Sequence, residues 1–372
     1  MWVRFLHAGP NTKYKTMATV TKIPGFGDLG IYVDGVDFEN MHDDEWVEWG
    51  RIHVKGCVTI FRKTKIVPNK YLRLSQLWGP ALNCSTYSFF KKYNIELDHA
   101  LPDPYADAYA RLRAVADEED TAIFKETADI SHVPSVQRVT GRRYPDGRHM
   151  GIFPEGDLHW HSNESGQLVN NPGVMLLAIS HVKNTSTGFC VTSNWYQQQS
   201  ESLRSELDEM FMDHDFFADR LSTGLHPAQS RMMKKNFAPE PSVLPLVIQS
   251  PGGIKGLHYS PHTVGKVHGM SLEESDKFLQ WLGTELFKEP HVYDHWYQDN
   301  GDLLIFDNSI TLHRRLGDVA TRLLLRSASS YNKVLDHTYQ PYLHKDYAQR
   351  YKDRIIDMYA TLGLGNPKSF ID

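Results

Sequence analysis

Two distant segments of the chain carry residue types that hold a redox metal: Asp157-Leu-His-Trp-His161-Ser-Asn163-Glu164 and Gly301-Asp-Leu-Leu-Ile-Phe-Asp307-Asn-Ser-Ile-Thr-Leu-His313. Each brings a histidine to the end of an apolar stretch, and Arg322 opens a further apolar run shortly after the second. Two imidazoles and one oxygen donor on three corners of an octahedron leave the other corners to a bidentate acid and O2. That is the arrangement of non-haem Fe(II) oxygenases. Residues i and i+2 of an extended chain face the same way, so His159, His161 and Asn163 are expected on one face. His313 must then approach from a separate strand. Arg322 and Arg326, four apart in Arg322-Leu-Leu-Leu-Arg326, are expected on one face of another strand. A guanidinium buried there needs an anion, and a bidentate carboxylate matches it best. Arg322 is therefore assigned to the far carboxylate of a dicarboxylate cosubstrate. Arg326 is assigned to the iron-bound end or to an anionic substrate.

The elements that must position these residues are short and apolar. Gly173 to Ile179, Leu244 to Gln249, Asp302 to Phe306 and Arg322 to Leu325 read as buried strands of two packed sheets. Upstream, Gly30 to Phe38, with a turn-like Asp34-Gly35, and Val54 to Phe61 read as strands. Helical stretches are expected near Tyr71 to Trp78, Tyr105 to Ala116 and Tyr347 to Leu362. Ser271-Leu-Glu-Glu274 is a capping box opening a helix whose apolar face runs through Phe278, Leu279, Leu282 and Leu286, with Pro290 as its stop. Short strands broken by long helical insertions indicate an α+β chain with a jelly-roll core, and not a parallel βαβ sheet. The absence of a glycine-rich phosphate loop argues against a nucleotide fold.

Composition bounds the rest. The chain has 372 residues, 41% of them hydrophobic and 23% charged, which gives a globular protein with a sizeable core. A net charge of −5 lacks the basic excess of a nucleic-acid-binding surface. Cys57, Cys84 and Cys190 are odd in number and show no C-x-x-C spacing, so they point to a reducing compartment and no disulfide framework. The opening Met1-Trp-Val-Arg-Phe-Leu-His7 is too short and polar for a signal peptide, and no apolar run is long enough to span a bilayer. The expectation is a cytoplasmic protein with a small-molecule substrate and neither nucleic-acid nor membrane partners; a homo-oligomer is left open.

Several pieces, in their order and spacing, make the chain resemble the taurine dioxygenase/TfdA-like family of Fe(II)/2-oxoglutarate oxygenases. They are Gly30 to Phe38, Gly56 to Arg62, Trp160-His161, Ser186-Thr-Gly188, the Ser271 helix, Gly301-Asp302, Phe306-Asp-Asn308, and His313 followed by Arg322 and Arg326. The resemblance implies a double-stranded β-helix, or jelly roll, with flanking helices and long lid insertions. The expected layout is a single oxygenase domain over 1–372, with the core at about 155–332, lids at about 80–156 and 211–240, and a C-terminal helical segment at 336–372. It also implies Fe(II), 2-oxoglutarate and O2, with His161 and His313 as metal ligands and release of succinate and CO2. The family uses a threonine or serine after the Ser-Thr-Gly turn to hold 2-oxoglutarate, and Thr192 is the nearest candidate. Asp307 is a candidate for fixing a histidine tautomer.

One departure matters. The family motif is His-x-Asp or His-x-Glu, where this chain has His161-Ser162-Asn163. Three readings stand: Asn163 ligates through its amide oxygen, Glu164 swings in with a carboxylate, or the third position is vacated to a halide, to water or in an inactive scaffold. The lids hold aromatic and basic groups, among them Phe211, Phe216, Arg142 and Lys234, which suits a small polar or anionic substrate. The rival readings are a non-catalytic small-anion-binding jelly roll and a Zn(II) site on His159, His161 and His313.

Overall fold

The computed structural model describes residues 2–4, 17–82, 85–96, 98, 101, 104–117, 136–147, 149–151, 154–222, 242–335, 337 and 339–362. Its strands begin with β1 (Trp2–Arg4), β2 (Met17–Lys22), β3 (Gly30–Asp34), β4 (Val58–Phe61), β5 (Gln137–Val139), β6 (Leu158–His161), β7 (Gly173–Ser180) and β8 (Thr185–Val191). They continue with β9 (Phe211–His214), β10 (Ser242–Pro245), β11 (Val247–Gln249), β12 (Lys255–Leu257) and β13 (Val264–Val267). The last are β14 (Val292–Trp296), β15 (Leu303–Asp307), β16 (Thr311–Gly317) and β17 (Leu323–Ser329). Helices are α1 (Asp43–His53), α2 (Pro68–Leu77), α3 (Ser85–Lys92), α4 (Pro104–Val115), α5 (Thr192–Gln197), α6 (Glu201–Asp208), α7 (Ala218–Leu221), α8 (Leu272–Leu286) and α9 (Lys345–Leu362).

Alternation along the apolar runs decides what each face meets. The large sheet has the order β1-β2-β3-β4-β15-β7-β17-β5, and the small one β14-β8-β16-β6. On β7, Val174, Leu176 and Ala178 share a core with Leu304 and Phe306 of β15 and with Phe189 and Val191 of β8, so the two sheets face each other. Met175 and Leu177 point the other way, joining Leu303 and Ile305 against Trp46 and Trp49 of α1 and Tyr71 and Leu74 of α2. Leu304 pairs with Leu176 and Phe306 with Val174, which keeps the two faces apart. A slip of one residue would turn every core side chain outward. Full burial of a side chain such as Leu304 or Phe306 contributes roughly 1.5–3 kcal/mol, so the register is strongly held. The outer face of the small sheet, with Trp160, Cys190 and Leu312, packs on Trp195 of α5 and on Leu282 and Leu286 of α8.

Most expected elements are present, with shifted ends. The Ser271 helix carries its capping box in full: Ser271 Oγ accepts from the Glu274 amide at 3.3 Å, and the Glu274 carboxylate accepts from the Ser271 amide at 3.0 Å. Strand β3 stops at Asp34, at the turn expected there. Val54 closes α1 instead of starting a strand; only Val58–Phe61 is extended. The run Leu244 to Gln249 is not one strand of a main sheet. Pro245 has no amide to donate, and the chain changes partner there, β10 pairing with β9 and β11 with β12. Strand β17 begins at Leu323, with a bulge between Leu323 and Leu324, so Arg322 lies just ahead of it. The segment Ser186–Gly188, read as a turn, lies inside β8.

Strands β1 to β4 are upstream of residue 155 and belong to the large sheet. Much of the expected lids, residues 118–135 and 223–240 with Lys234, lies outside the described residues. Among the described residues no helix is long and apolar enough to cross a membrane.

Candidate active site

Strands β6 and β16 run antiparallel and set His161 and His313 opposite one another as register partners. Their ring centroids are 4.0 Å apart. The His161 ring is hydrogen-bonded through Nδ1 to the His159 carbonyl at 2.7 Å. A carbonyl only accepts, so Nδ1 carries the proton and Nε2 keeps its lone pair. Burial pulls the His161 pKa down to about 4, with Arg315 and Arg326 adding to the effect. Burial, then His161 and Arg326, holds His313 well below the usual imidazole value, and its Nδ1 has no partner. Both rings are therefore neutral at pH 7, the form that binds a metal. His159 is not with them: its side chain is exposed while Trp160 and His161 are buried.

The strand ends at His161, and Asn163 begins a turn. Two-residue alternation therefore does not aim Asn163; Asn308 does. The Asn163 amide donates to Asn308 Oδ1 and its carbonyl accepts from Asn308 Nδ2, both at 2.8 Å. The Asn163 side-chain Nδ2 is buried with no partner. Glu164 adopts φ 60°, and its carboxylate accepts from the Asn171 backbone and side-chain amides at 2.8 and 2.9 Å. Burial raises its pKa, while Arg326 lowers it. Among the described residues no three His, Cys, Asp or Glu side chains converge as a metal cage. Glu164 is thus held by Asn171, and two residues past His161 the chain offers a neutral amide where the family motif has a carboxylate.

Arg322 is 2% exposed, and its Nε and Nη1 have no partner. Burial lowers its pKa to about 10, against the opposing effect of Tyr297. The Tyr297 hydroxyl lies 2.9 Å from Thr187 Oγ1. Across the β8–β16 ladder from Thr187 is Arg315, which donates from Nη2 to the Gly156 carbonyl at 2.7 Å. Burial and then Arg322 lower the Arg315 pKa to about 9. Arg315 and Arg322 are thus two buried guanidiniums that act on each other, with Tyr297 acting on Arg322 and hydroxyl-bonded to Thr187. Arg326 donates from Nη1 to Gln137 Oε1 at 3.2 Å and acts on His161, His313 and Glu164, so it lies near the imidazole pair, as Arg315 does near His161.

Thr192 is elsewhere. It opens α5, and its hydroxyl bonds the Ile310 carbonyl at 2.7 Å and accepts from the Leu257 amide at 2.8 Å, pinning the helix to its neighbours. Thr187, inside the Ser186-Thr-Gly188 signature, is the threonine bonded to Tyr297, which acts on Arg322; the spacing to Thr192 hid it. Asp307 does not touch a histidine ring. It accepts from the Ser309 and Ile310 amides at 2.6 and 3.2 Å and shapes the turn before β16, and burial raises its pKa to about 7. Sequence reading also missed His262, whose ring meets His161 edge-on at 5.9 Å. The signal available was the pair of histidines in His258-Tyr-Ser-Pro-His262.

Paired neutral imidazoles are donors suited to a divalent metal, and a buried guanidinium near them is suited to an anion. The chain belongs to the taurine catabolism dioxygenase TauD, TfdA family, whose family model matches residues 19–328. It is an α-ketoglutarate-dependent dioxygenase, and the family's cofactors are Fe(II), 2-oxoglutarate and O2. Similar solved structures include AAD-2 in complex with Mn(II) and N-oxalylglycine, at 17% identity and TM-score 0.56 over 84% of this chain and 96% of that one. A taurine dioxygenase from Burkholderia xenovorans matches at 17% identity and TM-score 0.54 over 84% and 88%. A putative alpha-ketoglutarate dependent 2,4-D dioxygenase from the same organism matches at 18% and 0.53 over 84% and 96%. These likenesses speak to the fold. No curated protein sequence matches the chain.

Proposed function

We propose that the protein hydroxylates an unactivated C–H bond of a small polar or anionic molecule, as a single domain over 1–372 whose two facing sheets form a double-stranded β-helix core, with segments 80–156 and 211–240 acting as lids. In this reading His161 and His313 bind iron through ring nitrogens, and Asn163 adds its amide oxygen. Arg322 takes the far carboxylate of 2-oxoglutarate, with the Thr187 and Tyr297 hydroxyls beside it, and Arg326 faces the iron-bound end. When bound, iron with 2-oxoglutarate and O2 supplies the oxidising power, releasing succinate and CO2. The chain's own part is orientation and exclusion of water. The His159 carbonyl fixes the His161 tautomer, and Asn308 fixes the turn that carries Asn163.

The observation that carries the reading is the histidine pair at 4.0 Å in the same site as Arg326, with the unpartnered, buried Arg322 in the same core. Anaerobic addition of Fe(II) and 2-oxoglutarate tests it. A weak visible charge-transfer band, followed by succinate formation on admitting air, is expected. A protein that retains no iron and shows no band favours the second reading, a non-catalytic anion-binding relative. That alternative draws on the missing acidic ligand at Asn163.

A further inference from the structure

A second imidazole pair is linked to the first through His262, which acts on His214 and whose ring meets His161. His214 ends β9, and His258 follows β12; their ring centroids are 5.3 Å apart, and both side chains are almost fully buried, at 2% and 1% exposure. His258 has no hydrogen-bond partner at either ring nitrogen, and His214 has none at Nε2. A buried polar nitrogen left unpaired is costly, and a core does not normally accumulate three of them in touching side chains. The pair is tied to the turn that carries Asn163: His214 Nδ1 is 3.3 Å from Thr263 Oγ1, and Thr263 donates to Ser165 Oγ at 2.9 Å, two residues past Asn163.

The hydrogen count in this relay defines what a ligand must offer. Thr263 has one hydroxyl proton, and it is directed to Ser165 Oγ at 2.9 Å and the Ser260 carbonyl at 3.4 Å, away from His214. Thr263 must then accept from His214, which puts the imidazole proton on Nδ1 and leaves Nε2 as a bare lone pair. A neutral His258 adds one donor and one acceptor. No free cation joins them from Arg220, whose Nη1 donates to the Val264 carbonyl at 2.9 Å.

We infer that His214 and His258 form the recognition subsite for the substrate to be oxidised, and that the substrate presents there a neutral group with both a donor and an acceptor, such as an amide or lactam. This rests on the oxygenase reading for its purpose. A carboxylate or sulfonate has no donor and would set its lone pairs against Nε2 of His214.

The test uses metal-free protein with 15N-labelled histidine, titrated separately with δ-valerolactam and with methanesulfonate. Long-range 1H–15N spectra follow the ring nitrogens. The lactam is expected to shift His214 and His258, methanesulfonate to leave them in place, and His258→Gln to weaken the lactam response at least about tenfold, equivalent to 1.4 kcal/mol. Because the wild-type titration decides the matter alone, a variant that fails to fold leaves nothing undecided. Shifts with methanesulfonate, alone or alongside the lactam, overturn the assignment of a neutral group; no shift with either overturns the subsite. Neither iron nor 2-oxoglutarate is present, so failure of the oxygenase reading would be seen only in the charge-transfer experiment.

Discussion

Arg322 holds a permanent charge in the core with two guanidinium nitrogens unpartnered, and burial lowers its pKa to about 10. Removing a buried charge that has no partner commonly stabilises a protein. Arg322→Met is thus expected to leave the melting temperature of the unloaded protein unchanged or higher. The same change should weaken 2-oxoglutarate by about 2–4 kcal/mol, the loss of a charge-assisted bidentate pair. Calorimetry with and without 2-oxoglutarate checks both halves; a ligand-induced shift that survives the substitution would move the anchor to Arg315. In the proposed site Asn163 poses the opposite problem, a neutral amide where a hard cation prefers a carboxylate. Asn163→Asp should tighten Co(II) at least about tenfold, or 1.4 kcal/mol, read from absorbance titration. Glu164→Gln should not, because that carboxylate is held by the Asn171 amides. Equal effects of the two substitutions would mean that neither side chain is the third ligand.

At the scale of elements, the β15–β16 turn sets the turn that carries Asn163 through one side chain. Asn308 is fully buried, accepts the Asn163 amide, and donates to the Asn163 and Asn171 carbonyls at 2.8 and 3.0 Å. Asn308→Ala leaves three backbone groups unpaired. It should lower stability by about 2–4 kcal/mol and weaken metal binding although no ligand is touched; chemical denaturation and the same Co(II) titration measure the two. Intact metal affinity would show that the Asn163 turn holds its shape without Asn308. The sequence made such elements partly legible. The Ser271 capping box, the alternation of β7 and the apolar strand before His313 could be read because local chemistry determines them. The geometry of Asn163 could not, since the strand ends at His161 and a residue more than a hundred positions away defines the turn. The same holds for Thr187 and Arg315, which meet only across the β8–β16 ladder. Pro245 was visible, yet the change of sheet partner it brings depends on β9 and β12 being nearby.

For the whole molecule, the histidines that sequence could only count become a statement about pH. Burial pulls His53 to about 3, His258 to about 4, and His214 well below 6.5. Each unfolded imidazole takes up a proton near pH 6.5 that its native counterpart refuses until far lower pH. The unfolded state therefore binds more protons between about pH 6.5 and 4, and native stability falls as pH falls through that window. Asp307 works the other way. Its native pKa of about 7 lies above the unfolded value of 3.8, so its contribution grows as pH falls from 7 toward 4; Glu164, also raised, acts in the same direction. Three deeply buried imidazoles, all held below the ordinary imidazole range by burial, outnumber the two raised carboxyls. The melting temperature of the metal-free protein is expected to be flat above pH 7 and to drop steadily from pH 6.5 to 4. His258→Gln should shallow that slope, because one proton-refusing ring is gone. A melting temperature that instead rises on acidification would mean the buried carboxyls dominate, and that solvent reaches the histidine rings in the native state.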